Sequence, residues 1–139
     1  MPNRTVHRTV GVGAGVATSA VLSDNLQQPS RIVEIFAAAI GGYVGAAAPD
    51  WIDPATTPNH RSVGHSVVFA GGGLVCAASQ MNDWRSELHA RSQAAFFHGQ
   101  SAQGYLFLVA SGLLTGLFMG YASHLALDAT TPRSLPLFR

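Results

Sequence analysis

His124 and Asp128 stand four residues apart in the stretch Gly120-Tyr121-Ala122-Ser123-His124-Leu125-Ala126-Leu127-Asp128. On a helix that spacing puts an imidazole and a carboxylate on one face, where they bind one metal ion together or where the acid orients the imidazole. An ionisable pair at the end of an apolar helix needs such a partner. His60 and His65 flank a short stretch with Arg61, where a loop gives way to a helix. Asp50 follows Pro49 at a helix end, Asp53 precedes Pro54, and His7 precedes the first helix. Imidazole and carboxylate donors in one set suit Zn²⁺ or Mn²⁺. The plainer alternative for a single histidine is a cap or a surface group, and for Asp53 a turn before Pro54.

Four apolar segments must position these residues. They run from about Thr9 to Leu22, Ile32 to Ala48, Val63 to Ser79 and Gly104 to Leu127. Each is rich in Ala, Gly, Val and Leu without strict alternation, which predicts buried helix rather than strand. Pro49 is expected to end the second helix, and Met81 to Gln103 reads as a polar linker or surface helix. Small residues recur at a spacing of four: Gly11 with Gly15, Gly41 with Gly45, and Gly112 with Gly116 and Gly120. In apolar helices this spacing lets two backbones approach closely. The fold class expected is all-α, an up-down bundle of about four helices.

Alternating helix direction sorts the ionisable residues by end. One end receives His7, Asp50, Asp53, His60, His65, His124 and Asp128, so four of the six histidines gather there with three aspartates. The other end receives Asp24, Glu34, Asp83, Glu87, His89 and His98. The expectation is a metal site at the first end, with His89 remote from it.

Composition narrows the class. The 139 residues fit one domain, 1–139. Apolar residues make up 47% and charged residues 11%, against about 25% charged in an ordinary soluble domain. That excludes disorder and leaves too few charges to coat a soluble bundle. There is no lysine among the eight basic residues, hence no tract suited to track nucleic acid. The lone Cys76 forms no intramolecular disulfide. No secretory signal fits the Gly- and Thr-rich start. The fourth segment approaches the roughly 20 apolar residues of a membrane span, and a membrane-embedded bundle is the expectation.

Three stretches together carry a resemblance. They are Ala48-Pro49-Asp50-Trp51-Ile52-Asp53-Pro54, His60-Arg61-Ser62-Val63-Gly64-His65-Ser66, and Gly120 through Asp128 to Ala129-Thr130-Thr131-Pro132. They resemble the YdjM-type family, membrane-bound metal-dependent hydrolases of the bacterial inner membrane. Its pattern is an early His, Pro-Asp-x-Asp-His, His-Arg-Gly-x-Thr-His-Ser, and Gly-x-x-Ser-His-x-x-x-Asp-x-x-Thr-Pro. His7, Asp50, His60, His65, His124 and Asp128 match residue by residue. The first stretch departs from the pattern: its His is missing and Asp53 is displaced by one. In the second, Ser62 and Gly64 stand where Gly and Thr are usual.

The family is distantly similar to zinc-dependent phospholipase C and single-strand nucleases, which implies phosphoester hydrolysis with a divalent metal, zinc first and manganese the alternative. On that reading lipid headgroups are the substrate class, Asp53 accepts a proton and Arg61 meets developing negative charge. The rival expectation is a non-catalytic membrane protein with a structural metal or a His/Asp helix junction, its small-residue faces serving homo-oligomer assembly.

Overall fold

The computed structural model describes residues 4–52 and 67–130, and the side chains of 67–75 are left aside. Four helices follow one another: α1 Arg4–Leu22, α2 Ser30–Ile52, α3 Val67–Phe97 and α4 Ser101–Ala129. No strand occurs among the described residues. The all-α expectation holds, and three boundaries differ from it. His7 lies inside α1 rather than before it. Pro49 lies inside α2, which runs on to Ile52. Proline removes one N–H and crowds the carbonyl four residues back. Here that residue is Gly45, which adds no side chain to the crowding.

The third difference is larger. Of the two readings of Met81 to Gln103, linker or surface helix, the helix holds, but as the second half of an α3 continuous over 31 residues and with one face buried. Its buried positions Met81, Arg85, His89, Ser92 and Ala95 recur every three or four residues, the period of one helix face. Polar residues inside that stripe hid its periodicity. α3 ends where Gly99 takes φ +72°, the left-handed conformation that glycine adopts after a helix end.

α1, α2 and α4 pack on one another through the small-residue pairs. A side chain at Gly15 would meet the Ala38 carbonyl at 2.6 Å, and one at Gly116 would strike the same carbonyl from α4. Gly11 faces Gly42 and Ala46, and Gly120 faces Gly42. Three backbones therefore meet along one seam with nothing larger than an alanine methyl between them. The small-residue pairs Gly11/Gly15, Gly41/Gly45 and Gly112/Gly116/Gly120 are all occupied within the chain. α3 packs its backbone against α4, while its Arg85 and His89 side chains reach α1 and α2.

The bundle is inverted relative to a soluble protein. Its interior holds His7, Ser19, Glu34, Ser111, Thr115, His124 and Asp128 beside Leu108 and Leu125, while many of its large apolar side chains point outward. On α2 the outward stripe is Ile32, Phe36, Ile40 and Tyr43. Water would not tolerate such a surface over three helices, whereas lipid tails match it. α2 and α4 are long and apolar enough to cross a membrane, with mean hydropathy 1.5 and 1.6 over their best windows.

Candidate functional site

The buried positions of α1 start with His7, and those of α4 end with His124 and Asp128. Antiparallel packing brings these helix ends together. The two imidazoles stack with centroids 3.9 Å apart and planes at 23°. His7 Nε2 lies 3.5 Å from Asp128 Oδ1, and His124 Nε2 lies 3.5 Å from Oδ2. One carboxylate thus spans both rings, an oxygen to each.

His124 is held from its other side. Its Nδ1–H donates to the Ala46 carbonyl at 2.6 Å. That bond fixes the tautomer and leaves Nε2 with its lone pair toward the aspartates, which is how a protein orients a ligating imidazole. Asp50, in the last turn of α2, brings Oδ1 to 3.8 Å from the same Nε2. Its side chain is 30% exposed, against 6% or less for His7, His124 and Asp128. Asp50 is thus the most exposed member of the cluster among the described residues.

The donor set fits a small divalent cation. One nitrogen from each histidine and one Asp128 oxygen all fall within 4.8 Å of one another. Ligands about 2.0–2.1 Å from a tetrahedral ion stand about 3.4 Å apart. The separations of 3.5, 3.5 and 3.8 Å match that spacing better than the 2.7–2.9 Å or so of a charge-assisted hydrogen bond. Imidazole with carboxylate is the donor chemistry of zinc and manganese.

Of the six residues expected as ligands, His7, Asp50, His124 and Asp128 converge at one end of the bundle. His60 and His65 lie outside the described residues, as do Asp53 and Arg61, the expected proton acceptor and charge-binding cation.

A second polar cluster lies at the opposite end. Glu34 is fully buried, and its Oε1 accepts from His89 Nε2 at 2.9 Å and Ser111 Oγ at 2.7 Å, with Arg85 Nη2 at 3.2 Å. Arg85 also donates to the Leu22 carbonyl at the end of α1, at 2.6 Å. The remaining oxygen, Oε2, is buried with no hydrogen-bond partner. Sequence reading placed Glu34 and His89 at this end but left them unconnected. The available signal was Glu34 itself, an acid in an apolar helix that requires a cation nearby. Sixteen residues of α2 separate it from Asp50, about 24 Å of helix.

Compared with known proteins, residues 1–139 match the family described as YdjM inner membrane protein. No curated protein and no solved structure matches the chain.

Proposed function

Because this chain belongs to the YdjM inner membrane protein family, we propose that it is a membrane-embedded metal-dependent hydrolase acting on phosphoesters, with lipid headgroups as the substrate class. The observation that carries this reading is the buried His7–His124–Asp128 group, whose donors lie within 4.8 Å of one another. These three residues would hold the ion, with Asp50 at the rim and His60 and His65 joining them by their family match. Zinc is the first choice and manganese the second for such a donor set. When bound, the ion supplies Lewis acidity and makes water a usable nucleophile near neutral pH.

The chain's own groups account for the rest. The Ala46 carbonyl holds the proton on His124 Nδ1 and so keeps Nε2 a donor of electrons. Asp128 fixes the spacing of both imidazoles. Asp50, partly exposed, and Asp53 are the carboxylates available to take a proton from attacking water and return it to solvent. Arg61 would meet charge developing on the phosphoryl oxygens. Arginine bias supports a cytoplasmic site: by segment order alone, Arg4, Arg8, Arg61, Arg133 and Arg139 are assigned to its end, against Arg31, Arg85 and Arg91 opposite. Of those three, Arg85 is drawn into the bundle.

The deep burial of His7, His124 and Asp128 favours a second reading, in which the ion only ties α1 to α4. A structural ion is fully ligated by protein, whereas a catalytic one keeps a place for water. The test is metal analysis of the detergent-purified protein, with phosphodiester hydrolysis measured across zinc and manganese. The hydrolase reading expects bound metal and turnover, both lost in His124→Ala. Bound metal with no turnover under either ion favours the structural reading, and no bound metal overturns both.

A further inference from the structure

Arg8 follows His7 on α1 but points elsewhere, one hundred degrees or so around the helix. It lines a shallow pocket between α1 and α2 with Thr5, Thr9, Val12 and Tyr43. Its Nη1 donates to the Tyr43 hydroxyl at 2.7 Å, and the guanidinium carbon lies 4.9 Å from the centroid of that ring. Arg8 is half-buried, and no carboxylate pairs with it among the described residues. A guanidinium offers five N–H donors, and the tyrosine hydroxyl takes up one nitrogen. The pocket therefore presents a positive charge and three hydroxyls, with no acid among the described residues to balance them.

The surroundings say what balances it. Val6 and Val10, next to Thr5 and Thr9 along α1, are exposed and form part of the apolar outer wall of the bundle. An arginine on such a wall, beside an exposed tyrosine, sits at headgroup level, where its charge meets phosphate. Depth is set by the packing: Gly11, one turn further along α1, faces Ala46, and the Ala46 carbonyl holds His124. The pocket and the His/Asp cluster are thus at one level of the bundle.

We propose that the Arg8–Tyr43 pocket binds the phosphate of an anionic phospholipid and holds that headgroup at the level of the His/Asp cluster. The guanidinium takes the phosphate oxygens, Thr5 and Thr9 donate to it, and the acyl chains lie along the valine wall of α1. Binding here rests on the membrane setting of the chain. Only its use in presenting substrate rests on the hydrolase reading.

The test uses the full chain in nanodiscs of phosphatidylcholine, titrated with phosphatidylglycerol, with bound lipid counted by native mass spectrometry. The parent should retain phosphatidylglycerol selectively. Arg8→Gln should weaken that retention about fivefold, the weight of one basic side chain at an anionic membrane surface. Tyr43→Phe, which keeps the charge but frees the guanidinium, serves as the second variant and should weaken it less. Metal content should stay unchanged in both, which separates this site from the His/Asp cluster: lost retention with intact metal supports the proposal whether or not hydrolysis is found. Equal retention by parent and Arg8→Gln overturns it. So does displacement of the lipid by inorganic phosphate at equal concentration, which would make the pocket a site for free anion.

Discussion

Glu34→Gln removes one charge and almost no volume from a site with no access to water. In the native cluster one carboxylate oxygen takes two hydrogen bonds and faces the Arg85 guanidinium, with Glu34 fully buried and Arg85 7% exposed. The two hydrogen bonds account for little, since interhelical bonds in membrane proteins average about 0.6 kcal/mol each. The charge matters more. A buried cation left without its partner destabilises by about 3–5 kcal/mol. The new amide must also put its NH₂ either where Oε2 lacks any partner or against donors. Glu34→Gln is therefore expected to lose about 3–5 kcal/mol, and Ser111→Ala only about 0.6 kcal/mol. The double variant Glu34→Gln with Arg85→Met, which strands no charge, should recover more than half of the loss. The assay is unfolding of the detergent-solubilised protein by added SDS, followed by emission of Trp84, the exposed neighbour of Arg85. A Glu34→Gln variant within about 1 kcal/mol of the parent, or a double variant no better than the single, refutes charge pairing as the basis of the cluster.

Asp128→Asn keeps the shape of the carboxylate and should weaken metal binding by about ten- to a hundredfold, measured by competition with a chromogenic chelator. His89→Ala should cost stability in the SDS titration while metal content stays at the parent level, because the two clusters lie about 24 Å apart along α2. Gly116→Ala drives a methyl group into the Ala38 carbonyl, a backbone atom that cannot swing aside, and should destabilise by about 1–3 kcal/mol. Gly13→Ala meets nothing within 4 Å and should be neutral or stabilising by up to about 1 kcal/mol; equal losses at the two positions would contradict the seam. Salt washing should leave the protein in the membrane fraction and detergent should release it, as fractionation by immunoblot will report.

The end of the bundle at which His7, Asp50, His124 and Asp128 meet was legible because helix direction depends only on counting segments. Their spacing was not legible, since the stacking of His7 on His124 depends on the rotation of α1 against α4. Counting failed to read α3 as one helix for a physical reason. Its buried stripe contains Arg85, His89 and Ser92, residues that hydrophobic periodicity scores as exposed. The same feature hid the Glu34 cluster, whose partners come from a stretch that reads as solvent-facing. Pro49 misled in the opposite way. The rule that proline stops a helix holds for its interior, yet α2 continues for three residues beyond it and delivers Asp50 to the site.

That the α3 backbone packs against α4 bears on the order in which the chain is put together during synthesis. α1 and α2 leave the ribosome first, with Gly11, Gly15 and Gly42 already able to bring their backbones close. α3 then emerges before the helix on which its backbone rests, and only Arg85 and His89 reach back to the hairpin, to the Leu22 carbonyl and to Glu34. The fourth helix closes the glycine seam, seats α3 and adds Ser111 to Glu34 in the same event. A chain interrupted before α4 would leave Glu34 without Ser111 and α3 without the helix that fixes its place.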